Sequence, residues 1–244
     1  MFLASNASNA YPVYRTLTAE VRASGAEKMA KDGVVKADIA YFRAKVAKIA
    51  TPDEFLKDYR LLKFALAAYN LEDQLQYPAR IKAIMKDDPT DPTSLVRRMT
   101  SAGYREINAA FDFFSKGVTK LKDASFVDEV VKKFTVSRYE QSLGAINPEL
   151  SDAVYFERKI GAVRNGYEII GDPILFDVVK TALSVPGNAV GGKIERLKAW
   201  VEKGLDMKRL NEPAYVKKIV ERFLVLKDVE NRRVSGSGLI DIFA

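Results

Sequence analysis

The sequence predicts an all-α fold: an irregular multi-helix bundle with an internal duplication of a helical unit. Three observations point there. Apolar residues recur every three or four positions along most of the chain, the stripe of an amphipathic helix. Nowhere does a clean apolar–polar alternation run between turn signals, as a strand would need. And D-I-A-Y-F starting at Asp38 returns as D-A-V-Y-F starting at Asp152, 114 residues later, with six of the 21 aligned positions from 38 to 58 identical. Repetition of a helical unit is the signature of helices that pack or stack on one another.

Residues 1–11, rich in Ala, Asn and Ser, are expected to form a flexible N-terminus. A short helix over about 12–24 follows from Tyr11, Val13, Tyr14 and Leu17. Ile39, Phe42, Val46 and Ile49 mark a long helix over about 34–50. Thr51 then caps a new helix with Pro52 in its first turn, and Phe55 through Leu66 carry it to about 68. A helix over about 76–86 must break at Asp87-Asp88-Pro89, and another begins near Pro92. Tyr104 to Phe114 reads as helix up to a stop at Gly117. Phe126, Val127, Val130, Val131 and Phe134 form a stripe that recurs 89 residues later as Tyr215, Val216, Ile219, Val220 and Phe223. Pro186-Gly187-Asn188 separates helices in the second half, Gly204 marks a further break, and Trp200 reads as a core or interhelix anchor. Ser235-Gly236-Ser237-Gly238 reads as flexible. The expected organisation is residues 12–149 as a first helical repeat region, 150–230 as a second and 231–244 as a flexible C-terminal tail, both repeats sharing one compact domain.

Composition narrows the chemistry. The 244 residues are 48% hydrophobic and 29% charged, a globular balance able to bury a core. Cysteine and histidine are both absent, which removes disulfides, thiolate nucleophiles and every metal site or triad that needs Cys or His. No transmembrane segment is expected, since no run approaches the roughly 20 apolar residues needed to span a bilayer. The start M-F-L-A-S-N-A-S lacks the basic and apolar regions of a secretory signal, so the protein is expected to be cytoplasmic. The net charge of +7 favours acidic partners, but the basic residues cluster only in pairs such as Arg97-Arg98 and Lys132-Lys133.

Five features are candidate sites. Gly187-Asn188-Ala189-Val190-Gly191-Gly192-Lys193 matches a phosphate loop as far as the lysine, but Ile194 replaces the required Ser or Thr, and helix rather than strand precedes it. Glu54 and Asp58, matched by Glu168 and Asp172, would share a face on a continuous helix and offer paired carboxylates. Pro173, however, favours capping for Asp172. Asp87, Asp88 and Asp91 lack the spacing and glycine of a calcium loop. The repeated pairs Tyr41-Phe42 and Tyr155-Phe156 read as core packing, though rings of that size also anchor interfaces. At the C-terminus, Leu239, Ile240, Ile242 and Phe243 form an apolar cluster on a Gly-Ser tether and are the candidate partner-binding residues. Catalytic, cofactor-binding and metal-ligating residues are not assigned, and no cofactor is expected.

The D-x-x-Y-F helix opening, the run T-P-D-E-F-L-K-D-Y-R-L-L-K-F-A-L-A-A-Y from Thr51 to Tyr69, its partner G-D-P-I-L-F-D-V-V-K-T-A-L from Gly171 and the helix F-V-D-E-V-V-K-K-F at Phe126 go together. With them the chain resembles an uncharacterised bacterial family, the domain of unknown function numbered 1217. The resemblance covers most of the chain. It implies a role near the flagellum, because members are often encoded among flagellar genes, and it transfers no catalytic residue. The expected function is a non-enzymatic helical protein-binding or assembly accessory protein, acting on another protein or by self-association. A nucleic-acid or anionic-surface binding protein and a carboxylate-dependent metal hydrolase are the alternatives.

Overall fold

The computed structural model describes residues 9–185 and 193–240, with side chains described as far as Arg232. The described residues are helical, with short 3-10 turns and no strand among them. The chain divides into two compact units, Ala19–Tyr139 and a second built from Met1–Thr18 together with Glu140–Ala244.

In the unit Ala19–Tyr139, α2 (Ala19–Met29) precedes α3 (Gly33–Val46), which Asp32 caps by accepting from the N–H of Val34 and Val35. α4 (Pro52–Lys57) starts on Thr51, whose hydroxyl accepts from Glu54 N–H, with Pro52 in the first turn. The expected continuous helix from 52 to 68 is instead two. Asp58 adopts an extended backbone, ends α4 and caps α5 (Tyr59–Ala68) by accepting from Arg60 and Leu61 N–H. α6 (Pro78–Met85), the four-residue α7 (Leu95–Arg98) and α8 (Ala102–Phe111) follow. Asp112, with φ 50°, separates α8 from α9 (Phe113–Lys116), and Gly117 at φ 54° closes α9. α10 (Ala124–Gly144) then begins.

The core of this unit is aromatic. Phe64 stacks on Phe42 with ring centroids 4.2 Å apart and on Phe134 at 3.9 Å, so α3, α5 and α10 meet through three rings. Phe111 packs edge-on against Phe126 and lies 5.2 Å from Phe55. Two lysines close helix ends. Lys122 Nζ donates to the carbonyls of Val46, the last residue of α3, and of Ala47 and Ile49 after it, and Lys120 Nζ to those of Ala109 and Ala110 in α8. α2 buries no residue fully, yet it lies close to α10: a Cβ on Gly25 would fall 2.2 Å from the Tyr139 ring.

In the other unit, α1 (Ala10–Thr16) ends at Leu17, short of the helix expected to run to 24. Its first amides find their acceptor far away in sequence, since Asp228 accepts from Ala10 N–H at 2.7 Å and Tyr11 N–H at 3.1 Å. α11 (Pro148–Lys159), α12 (Gly166–Ile170), α13 (Pro173–Ala182), α14 (Ile194–Gly204) and α15 (Pro213–Ile240) complete it, with α11, α13 and α15 packed on one another. Phe156, Val178 and Phe223, all fully buried, lie one on each of these three helices. Trp200 is only half-buried on α14. The α15 backbone is helical through Ser235-Gly236-Ser237-Gly238, where sequence alone predicted a tether.

Candidate functional site

The repeat-matched residues build one local device in each unit. Tyr41 Oη donates to Asp58 Oδ2 at 2.8 Å while Asp58 Oδ1 accepts from Arg60 N–H at 3.0 Å and Leu61 N–H at 3.1 Å. Tyr155 Oη donates to Asp172 Oδ2 at 2.5 Å while Asp172 Oδ1 accepts from Ile174 N–H at 3.0 Å and Leu175 N–H at 3.1 Å. One aspartate thus caps a helix with one oxygen and ties the preceding long helix to that cap with the other. Glu54 Oε2 accepts from Ala50 N–H at 2.9 Å, and Glu168 Oε2 from Arg164 N–H at 3.1 Å. At the far end of each short helix, Asn70 and Ser184 take φ of 57° and 54°. Leu71 N–H then reaches back to Leu66 O at 2.8 Å and Val185 N–H to Lys180 O at 2.9 Å, a Schellman closure both times.

This geometry agrees with capping and removes the paired-carboxylate alternative. Glu54 and Asp58 do not project from one continuous helix, because Asp58 leaves helical geometry to become a cap. The same holds at Glu168 and Asp172, where Asp172 caps α13. Among the described residues, no group of three acidic side chains converges in a way that could hold a metal ion. Asp88 and Asp91 close local turns on Thr90 and Thr93, and Asp87 accepts from Val96 N–H at 2.8 Å. Phe42 and Phe156 are buried, as core packing requires. Of the phosphate-loop match, residues 187–192 lie outside the described residues, while Lys193 and Ile194 open α14. Leu239 and Ile240 have helical backbone in α15; their side chains, and all of Ile242 and Phe243, lie outside the described residues.

Sequence reasoning missed the polar groups concentrated in the second unit. Glu140, only 3% exposed, receives Arg158 through Nε and Nη2, each at 2.6 Å. Tyr14 Oη donates to Glu157. Asp177 lies 2.8 Å from Lys180 Nζ and 3.1 Å from Lys227 Nζ; burial opposes its charge, yet these two cations hold its carboxyl below the usual range. Beside it, Asp152 is pushed up to about 6 by burial, with Asp177, Glu149 and Asp172 adding to the push and Lys227 opposing it. One signal was available in advance: tyrosine and aspartate are 17 residues apart in both repeats. Arg158 and Glu140 carry no comparable mark.

A cleft of about 340 Å³ opens where α11 ends. Glu157, Arg158 and Gly161 line it on one side, and Leu210, Asn211 and Val216 on the other. It is small for a ligand pocket and mixes apolar with charged walls.

No curated protein matches this sequence. Among solved structures, the crystal structure of protein AGR_C_984 from Agrobacterium tumefaciens is similar, with 24% identity, a TM-score of 0.81 and coverage of 95% of this chain and 98% of that one. At that identity the likeness establishes the fold. The family model described as protein of unknown function, DUF1217, matches residues 68–216. That is more than half of the sequence, and it spans the end of the first aromatic core, α10 and the whole Tyr155–Asp172 device. This chain therefore belongs to the DUF1217 family.

Proposed function

We propose that this protein is a non-enzymatic, helical protein-binding or assembly accessory protein. The observation that carries the reading is the use made of its repeated acids. Glu54, Asp58, Glu168 and Asp172 are engaged with backbone amides and tyrosine hydroxyls, so the residues that recur serve helix geometry rather than a reaction. Charge patterning favours a protein partner over a nucleic acid. Basic side chains are interleaved with acids, as in Arg43–Asp128 at 2.6 Å, Lys86–Asp53 at 3.0 Å and Lys133–Glu129 at 3.4 Å, whereas a phosphate backbone calls for unbroken positive surface. No helix among the described residues is long and apolar enough to cross a membrane. We place the protein's work in the cytoplasm.

Leu239, Ile240, Ile242 and Phe243 are the proposed contact residues, supported by their density of apolar side chains at the end of the sequence. The link to flagellar assembly rests on the family resemblance. Affinity capture with the full chain and with a chain ending at Arg233 tests both. Selective loss of a partner from the shortened chain supports the tail as the contact, and identification of that partner as a flagellar assembly protein supports the link. Equal capture by both chains removes the tail from the account.

A further inference from the structure

α15 (Pro213–Ile240) buries one face and leaves the other bare. Val216, Val220 and Phe223 are buried on the inner side. Lys218, Arg222, Val225, Val229 and Arg232 follow one another at steps of four, three, four and three residues, a single stripe on the outer side. Each is exposed, the valines at 43% and 38%. Lys218 and Arg222 have no carboxylate partner among the described residues, and Arg232 reaches only the Asp228 carbonyl, at 3.3 Å. Glu221 stands at the edge of the stripe. The register that matches Phe134 to Phe223 runs on through two uninterrupted helices, so Val225, Val229 and Arg232 correspond to Val136, Glu140 and Leu143 of α10. There the stripe is covered. Glu140 and Leu143 are buried, and Arg158 of α11 forks onto Glu140. The α15 stripe has no comparable cover among the described residues.

We propose that this stripe docks a helix of another protein, one that carries carboxylates on either side of a short apolar seam. The valines call for an apolar partner surface, since bare side chains of this kind gain by leaving water. The cations that flank them, Lys218 and Arg222 before and Arg232 after, call for acids at both ends of that seam. On α10 the covering helix brings an arginine to a buried glutamate; on α15 the cations already stand on the stripe, so the cover must bring the acid. A second copy of this chain does not fit, because antiparallel pairing on the two valines sets Arg222 against Arg232. A lipid surface does not fit either: two valines, with no aromatic or leucine in the stripe, give little to insert. The inference rests on the protein-binding reading above and names the partner's chemistry, at residues other than Leu239, Ile240, Ile242 and Phe243.

The test uses the full chain and a labelled helical peptide of about 15 residues, the length of helix from Lys218 to Arg232, with leucines along one seam and glutamates flanking them. Fluorescence anisotropy is expected to show saturable binding, and a peptide with lysine in place of every glutamate is expected to bind at least about tenfold more weakly. Lys218→Glu with Arg222→Glu is expected to weaken binding of the glutamate peptide by about tenfold or more. Because the chain carries a net charge of +7, the same reversal at Lys36 and Lys48, exposed in the other unit, is the control and is expected to leave binding unchanged. No binding, equal binding of the two peptides, or undiminished binding by the Lys218→Glu, Arg222→Glu chain would overturn the proposal; should that chain fail to fold, the peptide comparison decides it. Vesicles of phosphatidylglycerol and phosphatidylcholine that bind the chain when the glutamate peptide does not would assign the stripe to a lipid surface, and a dimer abolished by Arg222→Glu would assign it to a second copy; either overturns it. Affinity capture keeps the two readings apart. If the charge-reversed chain retains every partner of the full chain, this site falls and the protein-binding reading stands, whereas a full chain that captures no protein removes that reading.

Discussion

At Tyr41 the ring lies under the Arg60 guanidinium, 4.0 Å from its centroid, and Arg60 in turn pairs with Asp38 at 2.9 Å. At Tyr155 the position of Arg60 is taken by Ile174, and the partner of that lost arginine, Asp152, is left among other acids. Lys63 corresponds to Asp177, an inversion of charge, and Lys122 to Asn211. Yet the aspartate caps, the tyrosine hydroxyls and the left-handed residues at Asn70 and Ser184 are the same in both segments. The difference separates two kinds of constraint. A group that satisfies the backbone at a helix end has few substitutes, because an orphaned amide is costly. A charge on a half-exposed face is worth little and is free to change. The two segments thus share the groups that satisfy the backbone and differ in the charges on their surfaces.

The comparison can be broken most severely in the core. Phe42→Ala and Phe156→Ala are each expected to cost about 3–5 kcal/mol by cavity formation, measured by denaturant unfolding. Phe42 should stand at the upper end, because it stacks on Phe64, whereas the matched neighbour of Phe156 is Val178. Equal costs would mean that ring stacking adds nothing to the first core. Next comes a pair without a repeat-matched counterpart, since Arg158 corresponds to Ala44: Glu140→Ala leaves Arg158 without its fork and is expected to cost about 3 kcal/mol. The corresponding figure for the surface pair Arg60–Asp38 is below about 1 kcal/mol.

Asp152 sharpens the contrast through pH. Its folded pKa of about 6 lies above the ordinary carboxylate value, so the native state holds this proton more tightly than the unfolded chain does. Stability contributed by this group therefore falls as pH rises from about 4 to about 6, and the penalty is complete above that window. The carboxylate is only half-buried, so water screens much of the effect and a gain of about 1 kcal/mol is expected for Asp152→Asn at pH 7.5. Asp38→Asn should show no gain, since it removes a partner of Arg60. The smallest effect concerns Tyr69, whose hydroxyl is buried without a hydrogen-bond partner among the described residues and whose pKa burial pushes up, aided by Glu129 and Glu106. Leu183 holds the matched position. Tyr69→Phe is expected to leave stability unchanged or raise it by up to about 1 kcal/mol in thermal unfolding.

Helix class and the aromatic core were legible in the sequence because burial leaves a period: Phe42, Phe64 and Phe134 each stand in an apolar stripe. The cap at Thr51 and the stop at Gly117 were legible because those residue types have a specific backbone use. The break at Asp58 was not, since nothing in L-K-D-Y-R distinguishes a capping aspartate from one on a helix surface until its amides are seen. Asp228 capping α1 from 218 residues away, and Arg158 finding Glu140, depend on which helices pack together, and no local pattern encodes that.

The shared Tyr–Asp device is the fullest likeness between the two segments. Double-mutant cycles on Tyr155→Phe with Asp172→Asn, and on Tyr41→Phe with Asp58→Asn, measure each coupling without disturbing the core. The account predicts a favourable coupling at both, on the order of 1 kcal/mol for the 2.5 Å Tyr155–Asp172 bond. Favourable coupling at one site and none at the other would show that the two segments are held by different forces, and would contradict it.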